Sequence, residues 1–246
     1  MDSQDERVQN PLVRKLFQFI HLSDKDVGVL DALCSREERF KGGINILLEG
    51  DAPASAFVVT RGMACRYRLL VDGGRQILTF LIPGDLFDLH AFLLSSIDHS
   101  IGTIGPTRLA AIDRDTVIDV VTHHPRIRAA LWWSARQEDA MLRERIVALG
   151  RRSASGRVAY LLCELVWRQR AIGMSRDHAI RLPLTQTDLA DALGPDRRAR
   201  QPRPAEVQTG RADDAGAASA HSAQCREARG HFRCHAKLSP TWHYAI

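Results

Sequence analysis

Apolar residues recur at helical spacing near the start of the chain. Leu12, Val13, Leu16, Phe17 and Ile20 share one face, and Ser23 offers an N-cap before Val27, Leu30 and Leu33. The pattern predicts short helices over residues 12–40. From Gly42 the period shortens to that of strands. Ile44 to Leu48 runs into Glu49-Gly50-Asp51, Ala56 to Thr60 into Arg61-Gly62, and Met63 to Val71 into Asp72-Gly73-Gly74. The last is a hairpin signal, because glycine accepts the positive φ of a tight turn. Gln76 to Ile82 then stops at Pro83-Gly84-Asp85. Short strands at this spacing predict a sandwich or small barrel.

Beyond Arg108 to Ile112 the pattern turns helical again. Pro125 suits the first turn of a long helix, where its missing N–H would have no partner anyway. Leu131, Ala135, Leu142, Ile146 and Leu149 line one face of that helix. Such a stripe needs cover: a twin helix in a homodimer is the economical partner, and the chain's own barrel is the alternative. Ser153 or Ser155 caps the next helix, whose buried stripe is Val158, Leu161, Leu162, Leu165 and Val166. Ile180 to Leu184 reads as a short strand. Thr185 with Asp188 three residues on forms a partial capping box, and Gly194 closes the helix they open. After Gly194 the only branched aliphatics are Val207, Leu238 and Ile246, so residues 195–246 predict little fixed structure.

Composition narrows the class. With 45% hydrophobic residues among 246, a core can be built. No apolar run approaches the roughly 18 residues of a membrane span, and the polar start from Met1 to Arg7 lacks a signal peptide's apolar stretch. The expected location is the cytoplasm. Cys34, Cys65, Cys163, Cys225 and Cys234 are an odd, widely spaced set, a poor disulfide framework that fits a reducing compartment. The net charge of +5 is unevenly placed: nine basic and five acidic residues follow Gly194, leaving 25 and 24 before it. The basic balance belongs to the tail and says little about DNA binding by the rest.

Four segments in order carry a resemblance. They are Leu48-Glu49-Gly50-Asp51, Phe57 to Gly62, Leu81-Ile82-Pro83-Gly84-Asp85-Leu86, and Leu182 to Ala190, with a long helix between the third and the last. Together they resemble the Crp/Fnr family of bacterial regulators, over nearly all of residues 12–194. The resemblance implies an α+β chain. Its parts are a jelly-roll-like β-barrel sensor of the cyclic-nucleotide-binding type over residues 12–115, a connecting and dimerisation helix over 116–150, and a partial winged helix-turn-helix over 151–194. A tail follows over 195–246. In such a motif the first helix lies across the DNA backbone and the second enters the major groove. Thr185, Gln186 and Thr187, at the start of the first helix, are the implied DNA contacts, since free N–H groups and hydroxyls there suit a phosphate. An ordinary capped helix end is the alternative.

The sensor departs from the family pattern. Cyclic-nucleotide binders of this kind carry an acid for the ribose, for which Asp85 could stand, and a downstream Arg for the phosphate. The corresponding segment here is Ile97-Asp98-His99-Ser100. A neutral imidazole does not replace a permanently charged guanidinium fork, so cyclic AMP is disfavoured as the effector. Gly84, Asp85, Leu86, His99 and Ser100 are the candidate pocket for another small molecule; for His99 and Ser100 a plain loop role is the alternative. An iron–sulfur cluster needs four ligands, and no cysteine precedes Cys34. Cys34 and Cys65 read as buried apolar residues, and His123-His124 as the start of a helix. No cofactor or resident metal is expected.

The reading head departs further. Where the family has a recognition helix, this chain reads Pro195-Asp196-Arg197-Arg198-Ala199-Arg200-Gln201-Pro202-Arg203-Pro204, and prolines at this density forbid a normal helix. Back-translation of Pro195 to Gly216, read one nucleotide later with suitable codons, yields LTVVHVNRVLQKFRQAGLMTLG. That string has a turn and an amphipathic helix bearing Asn and Arg, which points to a shifted frame. Two rivals make the tail functional: a zinc site from His221, Cys225, His231, Cys234 and His235, or nonspecific nucleic-acid binding. The chain thus reads as a dimeric DNA-binding regulator impaired in specific binding. The alternative is a DNA-independent dimerisation module that pairs with intact relatives and blocks them. No nucleophile–base constellation, phosphate-cradling loop or paired-carboxylate motif suggests an enzyme.

Overall fold

A computed structural model describes residues 10–52, 54–89, 96–174 and 182–194. The expectations for Ile180, Arg181 and the tail from Pro195, including its His/Cys cluster, lie outside the described residues.

Among the described residues eight antiparallel strands form two four-stranded sheets, ordered β1-β8-β3-β6 and β2-β7-β4-β5. The strands are β1 (Glu37–Phe40), β2 (Asn45–Leu47), β3 (Ser55–Arg61), β4 (Ala64–Leu69), β5 (Arg75–Leu81), β6 (Leu86–Phe87), β7 (Ser100–Thr103) and β8 (Thr107–Asp113). The arrangement is jelly-roll-like, as expected, but it is two facing sheets and not one closed barrel. Strand alternation sorts the side chains. Val59, Ala64, Leu81, Phe87, Ile101 and Leu109 fill the space between the sheets. Val58, Ala110 and Ile112 face outward onto α1 (Pro11–Phe17), α2 (Asp24–Leu33), α3 (Arg114–His123) and the start of α4 (Pro125–Arg151). Cys65, Tyr67, Ile77 and Phe80 face outward on the other sheet, onto Leu161 and Leu165 of α5 (Ala154–Ala171) and Ala192 of α6 (Gln186–Leu193).

Most predicted ends coincide with caps. Ser23 closes a capping box with Asp26, Pro125 opens α4, and the Ser153 side chain, not that of Ser155, accepts from Gly156 N–H. Three expectations fail. Residues 37–40 are not helical: β1 pairs with β8, Glu37 opposite Ala110, as an edge strand whose mostly exposed residues carry no apolar alternation. Leu182 to Leu184 is not a strand; Leu182 and Leu184 pack against the second outer core without a ladder partner among the described residues. Leu131 lies not on an open stripe but in the core formed with α1 to α3.

Gly84 shows how tightly α1 is seated. Its φ is +89°, and a Cβ added there would lie 2.5 Å from the Pro11 carbonyl oxygen and 3.3 Å from Lys15 Cβ. Gly84→Ala is therefore expected to cost about 2–5 kcal/mol, combining left-handed strain with overpacking. Urea unfolding checks it, and a loss below about 1 kcal/mol would mean that α1 gives way freely.

Candidate sensor cleft and DNA-contacting helix

The residues expected to share an effector pocket do not converge. Asp85 is fully buried at the centre of an ionic network. Lys15 Nζ of α1 lies 2.8 Å from its Oδ1, the Arg168 guanidinium of α5 donates to its Oδ2, and Ile82 N–H donates to the same oxygen at 2.7 Å. Arg168 also meets Glu164 at 3.3 Å, and Glu164 meets Arg145 of α4 at 3.1 Å. Burial alone would push the Asp85 carboxyl up, but the charges of Arg168 and Lys15 outweigh it and hold the group below the usual carboxylate range. Gly84 serves the approach of α1, and Leu86 pairs with Val58 across β3. The Ser100 hydroxyl accepts from Glu49 N–H at 2.9 Å and is 3% exposed.

His99 faces a second polar cluster. Its Nδ1 is 2.8 Å from Asp98 Oδ1, while Nε2 is 3.0 Å from Asp88 Oδ1 and 3.2 Å from Arg66 Nε. Nε2 cannot accept from Arg66 and donate to Asp88 at once, so the imidazole's tautomer decides which of the two bonds it makes. Asp88 sits at φ 60°, and its buried Oδ2 has no hydrogen-bond partner among the described residues. Arg66 continues inward to a narrow cleft between β4–β5 and α4, about 10 Å³, lined also by Thr79, Leu81, Glu138 and Leu142. Sequence reading missed Arg66 and Asp88. The usable signal was an arginine at an inward position of β4; nothing local marks Asp88.

At the far end of the described residues, α6 begins with a complete capping box. Thr185 Oγ1 accepts from Asp188 N–H at 3.1 Å, and Asp188 Oδ2 accepts from Thr185 N–H at 2.9 Å. Thr185 Oγ1 also donates to that carboxylate at 2.6 Å, so its hydroxyl is already occupied. Gln186 and Thr187 are exposed beside it, and Gly194 ends the helix at φ +68°.

On α4, Leu142, Ile146, Val147 and Leu149 are exposed, whereas Ala135 is half-buried. Cys65 is buried, Cys34 half-buried, and burial pushes both thiols up to about 11, so both stay protonated near neutrality. His124 joins α3 to α4. Among the described residues no His/Cys/Asp/Glu group is arranged to hold a metal, and no helix is long and apolar enough to cross a membrane.

Residues 37–124 match the family described as the cyclic nucleotide-binding domain. The chain is 31% identical over 160 residues to the nitrogen fixation regulation protein FixK of Bradyrhizobium diazoefficiens, covering 65% of this chain and 66% of that one. It is 32% identical over 157 residues to the FixK of Rhizobium meliloti, covering 63% and 67%. The matches thus span about two thirds of these relatives' lengths. Among solved structures, FixK2 from Bradyrhizobium japonicum superposes with a TM-score of 0.54 at 26% identity, over 64% of this chain and 76% of that one. The c-di-GMP responsive regulator CLP of Xanthomonas campestris shares the fold, with a TM-score of 0.57 at 16% identity over 71% and 87%. The domain match, the two-sheet sensor followed by a long helix, and these regulators together place the chain: it belongs to the Crp/Fnr family of bacterial transcriptional regulators.

Proposed function

We propose that this chain is a cytoplasmic, homodimeric regulator of the Crp/Fnr type that touches DNA phosphates through α6 but is impaired in reading an operator. The observation that carries the reading is the start of α6, a capped helix whose Gln186 and Thr187 are exposed. Free N–H groups at such an end, backed by the helix dipole, suit a phosphate oxygen. Groove readout needs side chains on a following helix, and the sequence from Pro195 to Pro204 is unsuited to one. The effector is a small molecule other than cyclic AMP, because Asp85 is already held by two cations and residues 97–100 include no arginine.

The exposed seam on α4 favours a second reading, in which the chain pairs with intact relatives and blocks them. One experiment separates the two. The chain is compared with a version whose residues 195–216 are replaced by LTVVHVNRVLQKFRQAGLMTLG, on an operator of the R. meliloti relative. The replacement is expected to bind at least about a thousandfold tighter than the unaltered chain. Equal binding would sink the impaired-reading proposal. Titrating the unaltered chain into the relative's own operator complex tests the second reading, which requires loss of that complex.

A further inference from the structure

Strand β5 reaches the helix-turn-helix through two adjacent residues. Arg75 Nη2 donates to Asp188 Oδ1 at 2.7 Å and its Nε to Asp191 Oδ2 at 2.8 Å, so one guanidinium bridges both carboxylates of α6. The Gln76 side-chain amide donates to the Asp191 carbonyl at 2.8 Å. Arg75 is also held over the Tyr67 ring, 5.8 Å from its centroid, and Ala192 is buried against the same sheet. Neither acid is a plain solvated charge: both face the sensor.

Strand β5 is gripped from its other neighbours as well. A bulge beside Arg66 and Tyr67 shifts its register against β4. At that point Arg145 of α4 donates to the Leu78 carbonyl at 2.6 Å, and Arg168 of α5 to the Phe80 carbonyl at 2.9 Å. Thr79 and Leu81 of the same strand line the cleft against α4. A displacement of β5 at the cleft or at the long helix is therefore passed to Arg75 within a few residues.

We propose that Arg75 is a positioning residue for DNA binding, a charge clasp by which the sensor holds the first helix of the helix-turn-helix and masks its acid pair from the DNA. The proposal rests on the reading that α6 meets phosphates. Asp188 directly follows Thr187, so with the clasp open two carboxylates stand beside the phosphate contact and repel it. With the clasp closed the guanidinium offsets one of the two negative charges, and α6 is fixed in place. The bridge is partly open to solvent, with Arg75 31% and Asp191 22% exposed, so it weakens as salt rises.

The test uses the full chain, with Arg75→Glu, Asp191→Arg and the two combined. The tail after Gly194 is identical throughout and drops out of the comparison. Amide hydrogen exchange over residues 189–193 is expected to quicken about tenfold in R75E and to recover by about threefold in the combined variant, where the exchanged charges attract again but the new carboxylate still faces Asp188. Affinity for a random-sequence duplex at low salt is expected to fall at least about fivefold in R75E, with the combined variant tighter than the two single changes together account for. A merely packed contact would not be restored by exchanging charges. Exchange unchanged in R75E, or unrestored in the combined variant, would overturn the clasp. Quickened exchange with unchanged duplex affinity would overturn its effect on DNA. Gln186→Glu and Thr187→Glu test the phosphate reading separately, by placing a negative charge where the phosphate would sit: if neither weakens duplex binding, that reading fails, and the exchange result still decides the clasp.

Discussion

Replacing Asp85 by alanine is expected to lower the unfolding free energy by about 3–5 kcal/mol, because it strands buried positive charge. Lys15 and Arg168 both converge on this carboxylate, and their side chains are 9% and 7% exposed. After the change Lys15 keeps Glu138 at 3.4 Å and Arg168 keeps Glu164 at 3.3 Å, which limits the loss but does not cancel it. For a chain of this size the melting temperature should drop by about 10 °C. The pH dependence has a definite sign. The folded Asp85 carboxyl titrates below its unfolded value of about 3.9, so its contribution is complete above that value and disappears as pH falls through the lower, folded one. Lys15 behaves oppositely: burial pulls it down, Asp85 and Glu138 outweigh that and raise it, and its contribution is lost only in strong alkali. Asp85→Ala should therefore unfold more easily at neutral pH yet lose less further stability between about pH 4 and pH 2. Urea titrations at pH 7, 4 and 2 measure both effects. A neutral-pH loss under about 1 kcal/mol would show that the network is incidental.

Ile146→Glu is expected to convert the dimer to monomer at micromolar concentration. Leu142, Ile146 and Leu149 follow spacings of four and three on α4, the repeat of a two-helix seam. Ile146 is 70% exposed in the protomer, so the substitution leaves the protomer's own cores intact. In a twofold dimer each change occurs twice. Losing two isoleucine burials at about 1.5–3 kcal/mol each, and adding a pair of like charges, should weaken association by at least about a hundredfold. Sedimentation equilibrium reads the result directly, with the circular dichroism spectrum expected to stay unchanged. A monomeric parent chain, or a dissociation constant within about twofold of the parent's, would remove the dimer from the proposed function.

Local signals were legible where a residue acts through its own backbone. The caps at Ser23, Ser153 and Thr185, the Pro125 start and the Asp72-Gly73-Gly74 turn all follow from what those residues do to φ or to an unpaired N–H. Strands β3, β4, β5 and β8 were legible because each holds a run of apolar residues that packs between the sheets or against the outer helices. Strands β1 and β7 were not, since the first is an edge with little apolar content and the second is buried throughout and includes Gly102. Burial of Leu131 was illegible too, because an apolar stripe does not state which of two surfaces will cover it.

What the sequence determined by itself is the order of most elements, the fold class and the family, because spacing, caps and turn residues are properties of neighbours along the chain. The assignment of polar side chains was decided only by the tertiary structure. Asp85 belongs to Lys15 and Arg168, 70 and 83 residues away, and Asp188 and Asp191 belong to Arg75, 113 and 116 residues away. A charge is stabilised by whatever lies within a few ångströms of it, and that company is set by how the layers close.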